Sequence, residues 1–318
     1  MRTVAITDTE VVLSGTNAVK PGDAVSCEFV NKPIPNATIR VSKTLQDVNG
    51  ANLGNGNGWQ LGAATTAVPT GSITPTPAAA AQTTTETGFV DWTLAFDTTT
   101  DRASVVVSET QQIGYEFVSG SCTVTPSNGD PTTVAISSAD GVTLDGVKPG
   151  DAVVCGFVNK QQAGTVTWQK VDDSRPAQHL ANSEWKIVGP SPATTVLAVA
   201  DCVATDAAGC ANQTDKDHRA GHFSVTGLAW GSYQLIETKA PAGYRLTDTP
   251  YPFAISATAL AVPVEGSPFT NVRRDGPVIP LTGGIGRDAF FIAGLLIIAA
   301  GFGAVGVKRV RSRREGVA

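Results

Sequence analysis

The sequence is poor in the residues on which most enzymes and nucleic-acid binders depend. Its 318 residues include 3 His, 1 Met and 5 Cys, and charged residues make up 16% of the chain, against roughly 25% in ordinary globular domains. So few imidazoles and thiols leave little for metal or acid–base chemistry, and the sequence contains no CxxC, HExxH, GxSxG or phosphate-binding glycine loop. A formal net charge of −5 supplies no basic field for a nucleic acid. Aromatics are scarce at 6%. The start, MRTVAITDTEVVLSG, lacks the apolar stretch with which an exported protein begins. Thr, Val, Ala, Gly and Pro are plentiful instead, with 33 Gly and 19 Pro. That balance argues for strands and against a helical bundle, and the length allows two domains with chain to spare.

The other end is of different character. Ala289 to Val307 is an uncharged run, AFFIAGLLIIAAGFGAVGV, long enough to cross a hydrocarbon core of about 30 Å as a helix. Lys308, Arg309, Arg311, Arg313 and Arg314 follow. Basic residues flanking an apolar span stay on the cytoplasmic side, which puts the preceding chain outside. A repeat reconciles this with the missing leader. Residues 21–32, PGDAVSCEFVNK, match residues 149–160, PGDAVVCGFVNK, at ten of twelve positions. A period of about 128 residues is a whole domain. Residues 1–33 are therefore expected to be the closing strands of a repeat domain whose front is missing, with Met1 a truncation or a miscalled start.

Organisation follows from punctuation. Pro33–Asn36 reads as a linker into a first complete domain, 34–160. Its strands are expected at TIRVSKT, GFVDWTLAF, ASVVVSE, CTVTP and AVVCGFVN. Ala63–Thr87 is low-complexity and reads as a long loop. QQAG at 161–164 links to a second complete domain, 161–275, with strands at TVTWQKV, SEWKIVG, HFSVTGL, SYQLIE and PFTNV. The expected fold class is all-β: tandem β-sandwiches followed by one transmembrane helix at 289–307 within a tail of 276–318.

Alternate side chains of a strand share a face, and here that parity puts polar groups among apolar ones. Lys170 shares a face with Val166 and Trp168, Glu237 with Tyr233 and Leu235, and Asn271 with Phe269. In the earlier domain Lys43 goes with Ile39 and Val41, Glu109 with Val105 and Val107, and Asn159 with Val153, Cys155 and Phe157. The truncated repeat supplies Val25, Cys27, Phe29 and Asn31. Burial pushes a Lys toward the nucleophilic neutral amine and a Glu toward the acid. A Lys–Asn isopeptide bond with ammonia leaving is one outcome. A buried salt bridge capped by Asn, or edge residues that snorkel into water, is the other.

A resemblance bears on that choice. GSYQLIETKAPAGY at 231–244 resembles the E-box of Cna B-type (SpaA-like, prealbumin-fold) domains of Gram-positive pilins and adhesins, and HFSVTGLAWG at 222–231 is similar to the strand and turn before that box. The resemblance implies that Lys170 joins Asn271 with Glu237 as catalyst. SETQQIGYEF at 108–117 keeps Glu and GY without the Ala-Pro pair, and implies the same roles for Lys43, Asn159 and Glu109. The tail resembles a sortase signal: Ile279, Pro280, Leu281, Thr282 and Gly283 match LPxTG except for the first residue, and the span and basic end follow in order. Cleavage after Thr282 and covalent transfer to wall peptidoglycan are implied, with the membrane a partner only before sorting. A single-pass membrane anchor is the alternative.

Cysteines outside the span suggest disulfides. Cys202 pairs with Cys210 across a loop, Cys122 with Cys155 inside one domain, and Cys27 is left over. His218 and His222 are spaced i, i+4, but Gly221 spoils a helix there and no zinc site is expected. Asp215 and Asp217 read as a turn of solvated carboxylates rather than a Ca²⁺ loop. The expected protein is a cell-wall-anchored, self-crosslinking stalk or pilin-like subunit in adhesion. Its expected partners are sortase, peptidoglycan, other pilin subunits or a host ligand, and it is expected to use no cofactor or metal. The rival from another class is an adhesin whose own module binds, through Ala63–Thr87. No YPK-type pilin motif is present, and Lys148-Pro149 is the nearest fragment.

Overall fold

The computed structural model describes residues 11–192 and 195–274. The motif at 279–283, the span at 289–307 and the basic tail lie outside them. Among the described residues no helix is long and apolar enough to cross a membrane; the helical pieces are the short 3-10 turns Gly15–Asn17 and Ala207–Cys210. Everything else regular is strand.

The first group of strands comprises β1 (Ala37–Gln46), β2 (Asn52–Asn55), β3 (Gln60–Val68), β4 (Ile73–Thr76), β5 (Ala81–Thr83), β6 (Phe89–Phe96), β7 (Arg102–Glu109), β8 (Tyr115–Thr125), β9 (Thr132–Ile136), β10 (Val142–Val147) and β11 (Ala152–Gln161). One sheet runs β4-β6-β1-β11-β8-β9, with β2 attached to β1, and the other runs β10-β7-β3-β5. Alternation builds the core: Ile39 and Val41 of β1, Val105 and Val107 of β7 and Val153 and Phe157 of β11 are all at most 1% exposed and belong to one apolar cluster with Leu61 and Trp92. Each fully buried side chain of this size stabilises by about 1.5–3 kcal/mol.

The second group comprises β12 (Gly164–Asp172), β13 (Glu184–Val188), β14 (Val196–Ala200), β15 (His222–Leu228), β16 (Gly231–Lys239), β17 (Tyr251–Ile255), β18 (Ala261–Pro263) and β19 (Phe269–Asn271). β12 pairs with β15 on one side and with β18 and then β19 on the other, while β14-β13-β16-β17 form a second sheet. A separate cluster lies among them, built on Val166, Trp168, Trp185, Phe223, Tyr233, Leu235 and Phe269. Apart from both groups, residues 243–245 and 272–274 pair as a short antiparallel bridge, with Arg245 N donating to Val272 O and Arg274 N to Gly243 O.

First and last strands run parallel in both sandwiches, and in the same register. Lys43 stands beside Phe157 and Leu45 beside Asn159; Lys170 stands beside Phe269 and Asp172 beside Asn271. In each case the Asn lies two residues beyond the residue paired with the Lys. Two residues of a strand return to the same face, so Lys and Asn are forced into one core layer.

Three expectations need correction. Ala63–Thr87 is not one long loop: it contains most of β3 together with β4 and β5, because a Thr- and Ala-rich composition with Val and Ile is still good strand material. Residues 11–33 form no strand, and Val25, Phe29 and Val30 are exposed. Their match at 149–160 is held between β1 and β8, and among the described residues the earlier copy has no such neighbours. The linker is shorter than QQAG, since Gln161 ends β11 and Gly164 begins β12.

Candidate functional site

In the second sandwich Lys170 (β12) and Asn271 (β19) come from neighbouring strands and Glu237 (β16) from the other sheet, where it stands opposite Trp185. All three are at most 1% exposed. Lys170 Nζ donates to Asn271 Oδ1 at 2.6 Å, and Asn271 Nδ2 donates to Glu237 Oε1 at 2.9 Å. The same Oε1 lies 3.5 Å from Lys170 Nζ. One carboxylate oxygen is thus within reach of both nitrogens. Glu237 Oε2 accepts from the backbone N–H of Thr247 at 3.1 Å, and the Thr247 hydroxyl lies 3.4 Å from Asn271 Oδ1.

The surroundings are apolar: the Trp185 ring centroid is 5.6 Å from Lys170 Nζ. Burial pushes the Lys170 amine below its ordinary value, and the nearby Glu237 charge opposes this. The backbone here is tightly held. Lys170 N donates to Gly221 O at 2.8 Å, and Gly221, at φ +68°, has room for no side chain because a Cβ would lie 2.8 Å from Lys170 O.

The first sandwich gathers Lys43 (β1), Glu109 (β7) and Asn159 (β11) in the same way, at 1%, 7% and 0% exposure. The bonds differ. Lys43 Nζ donates to Glu109 Oε2 at 2.5 Å, while Asn159 Nδ2 donates to Gln111 Oε1 at 3.2 Å. Among the described residues, buried Glu109 Oε1 and Asn159 Oδ1 have no hydrogen-bond partner. Lys43 Nζ sits 4.2 Å from the centroid of the Trp59 ring. Burial pushes its amine down to about 8, against the pull of Glu109.

Parity placed all six on core faces, and the structure buries them there. It missed Thr247, Gln111 and Trp59, which contact them from irregular segments where a period of two says nothing.

The remaining candidates separate. Disulfides join Cys122 to Cys155 across the paired strands β8 and β11, and Cys202 to Cys210 in the loop before β15. Cys27 is exposed and free. His222 meets His179, with ring centroids 4.0 Å apart. Among the described residues no cluster of three His, Cys, Asp or Glu is placed to hold a metal. The expected turn of solvated carboxylates needs correction. Asp217 is part-buried and pairs with the exposed Arg219, and Asp215 is fully buried, accepting from the backbone N–H groups of Cys202, Asp217 and Ser224. Burial raises its carboxyl to about 6.

Residues 164–267 match the family model described as SpaA, a prealbumin-like fold domain; the match covers about a third of the chain. A comparison with curated proteins returns no match. Among solved structures, the Bacillus anthracis TIE protein is similar at 15% identity over 76% of this chain and 34% of its own, with a TM-score of 0.44. A streptococcal ancillary pilin is similar at 18% identity over 75% of this chain and 63% of its own, with a TM-score of 0.26. The full-length major pilin RrgB of Streptococcus pneumoniae is similar at 18% identity over 76% and 49%, with a TM-score of 0.23. The chain thus spans between about a third and two thirds of the length of these proteins. Likenesses this distant carry nothing about function.

Proposed function

We propose, from the match of residues 164–267 to the SpaA prealbumin-like model, that the chain is a self-crosslinking surface protein, a stalk or pilin-like subunit. Lys170 and Asn271 join through an isopeptide bond that Glu237 catalyses. Lys43, Glu109 and Asn159 are the corresponding set of the first sandwich. The observation that carries the reading is the position of Glu237 Oε1, 3.5 Å from Lys170 Nζ and 2.9 Å from Asn271 Nδ2 in a core that excludes water.

The reaction balances without any other reactant. The neutral Lys170 amine attacks Asn271 Cγ, a C–N bond forms, and the carbonyl electron pair moves to Oδ1. Glu237 Oε1 takes the proton released by the attacking nitrogen and delivers one to Nδ2. The Cγ–Nδ2 bond breaks, ammonia leaves and the carbonyl re-forms. Such a bond closes a loop of about 100 residues, worth roughly 4–5 kcal/mol in a chain-entropy model. It would also anchor the first strand to the last, the property a load-bearing stalk requires.

Anchoring belongs to the same proposal: sortase cuts after Thr282 and transfers it to peptidoglycan. The anchor leaves residues up to Thr282 outside the cell, where other pilin subunits or a host ligand are the partners. Within Ala63–Thr87 the strands leave three short stretches, 69–72, 77–80 and 84–87, as the irregular surface a host ligand would meet.

Intact mass of the purified protein tests the crosslinks. Each bond lowers the mass by one ammonia beyond the hydrogens of the disulfides, and digestion returns a branched peptide containing Lys170 and Asn271. The full calculated mass would leave two buried ion pairs, Lys43–Glu109 and a Lys170–Glu237 pair capped by Asn271.

A further inference from the structure

We infer that Thr247 is a positioning residue for bond formation between Lys170 and Asn271, an inference that rests on the reading above. Its backbone N–H holds Glu237 Oε2 at 3.1 Å, and its hydroxyl points to Asn271 Oδ1 at 3.4 Å. One residue therefore fixes the distal oxygen of the proton carrier and reaches the oxygen on which negative charge develops.

The hydroxyl becomes more important as the reaction proceeds. In the resting site Lys170 Nζ is the close donor to Oδ1, at 2.6 Å. To attack, that nitrogen gives up a proton and turns its lone pair toward Cγ, so its donation to Oδ1 weakens as the oxyanion forms. Thr247 Oγ1 is then the described neighbour left to donate, and a hydrogen bond to developing charge in a dry site strengthens where the resting contact is long.

The first sandwich supplies a natural contrast. Glu109 Oε1 and Asn159 Oδ1 are both buried and have no partner among the described residues. In the second sandwich, the free oxygen of the carboxylate and the amide oxygen are the two atoms to which Thr247 donates. Thr247 itself lies in the irregular stretch between β16 and β17 and is half-buried, so its hydroxyl contributes little to the apolar core.

The experiment follows crosslink formation in the full chain during cell-free synthesis, by mass spectrometry of the Lys170–Asn271 branched peptide, in wild type, Thr247→Val and Thr247→Ser. Valine keeps the shape and the backbone N–H but loses the hydroxyl; serine keeps the hydroxyl and loses the methyl. The expected result is a slowing of about tenfold in Thr247→Val, as for loss of one weak oxyanion donor, with Thr247→Ser within about twofold of wild type. Equal rates in wild type and Thr247→Val would overturn the inference. So would a serine variant as slow as valine, because packing of the methyl would then be the cause. If wild type itself never loses ammonia at this site, the isopeptide reading fails and the role of Thr247 falls with it; a crosslinking wild type with an indifferent Thr247 removes only the inference.

Discussion

The two sandwiches bring the same three residue types to the same places and wire them differently. In both, Lys stands beside a Phe of the parallel last strand, Asn lies two residues farther on, and Glu comes from the other sheet. In the second, Glu237 Oε1 reaches both Lys170 and Asn271. In the first, Glu109 is bonded to Lys43 alone, and the Asn159 amide is turned to Gln111. Register is enough to assemble the groups. Which hydrogen bonds then form is set by the loop residues beside them, Thr247 in the second sandwich and Gln111 in the first.

The largest expected effect comes from removing the shared carboxylate. Glu237→Ala should leave Lys170 and Asn271 unlinked, and the loss of loop closure should cost roughly 4–5 kcal/mol. Differential scanning calorimetry with intact mass on the same sample reads both. Crosslinking at the normal rate in this variant would mean that another group carries the proton. Because Glu109 does not reach Asn159, the first-sandwich bond should form more slowly than the second, and the order in which the two branched peptides accumulate checks this.

Gln111 is the next place to disturb the contrast. It accepts from Asn159 Nδ2, the nitrogen that must leave, and has no proton to give through Oε1. Gln111→Ala should free the amide to turn toward Glu109 and quicken the Lys43–Asn159 bond several-fold, of the order expected for one hydrogen bond of about 1 kcal/mol. Slower bonding in this variant would make Gln111 a helper. The second-sandwich peptide in the same sample is the internal control.

The amine of Lys43 titrates at about 8 against an ordinary 10.5, which fixes the sign of two pH effects. The rate of its bond formation should rise with pH through about 8, as the nucleophilic neutral form is populated. In Asn159→Ala, where Lys43 stays a free amine, the unfolded chain takes up a proton near pH 10.5 before the folded chain does near 8. Stability should therefore fall as pH is lowered across that window and level off below it. Urea unfolding at pH 7 and pH 10 compares the two ends. Equal midpoints would mean that Glu109 compensates the burial of the charge in full.

Much of this comparison could be read in the sequence, because strand parity is a short-range property. Placing Lys170, Glu237 and Asn271 on apolar faces required only the period of two and the apolar neighbours at each second position. Ala63–Thr87 was misread because repetitive composition hides alternation: Leu61 and Ala63 are buried and then Thr and Ala follow, which differ too little in apolar character to mark a face. Thr247 and Gln111 were invisible for another reason. Each lies in a loop, and its partner is chosen by tertiary folding across 10 to 48 residues of sequence. Asp215 looked like a solvated turn because its local bond from the Asp217 N–H is what such a turn makes, and nothing local reports the N–H groups of Cys202 and Ser224 that bury it.

The smallest expected effect concerns the aromatic neighbours of the two amines. Trp59 lies 4.2 Å from Lys43 Nζ, whereas Trp185 lies 5.6 Å from Lys170 Nζ. An indole face stabilises a cation, and Phe does so less than Trp, so Trp59 should hold Lys43 in its charged form against the effect of burial. Trp59→Phe keeps a ring edge for Tyr115, now 5.2 Å from Trp59 between centroids, and weakens the cation–π contact by an amount on the order of 0.5 kcal/mol. That is a few tenths of a pH unit. The midpoint of the pH–rate profile for the Lys43–Asn159 bond should move down by this amount, and the Lys170–Asn271 profile should not move. A shift in the opposite direction would mean that the smaller ring admits water and relieves the burial of the charge by more than the lost contact. Hydration would then set the Lys43 amine, and the closer indole would cease to distinguish the two sites.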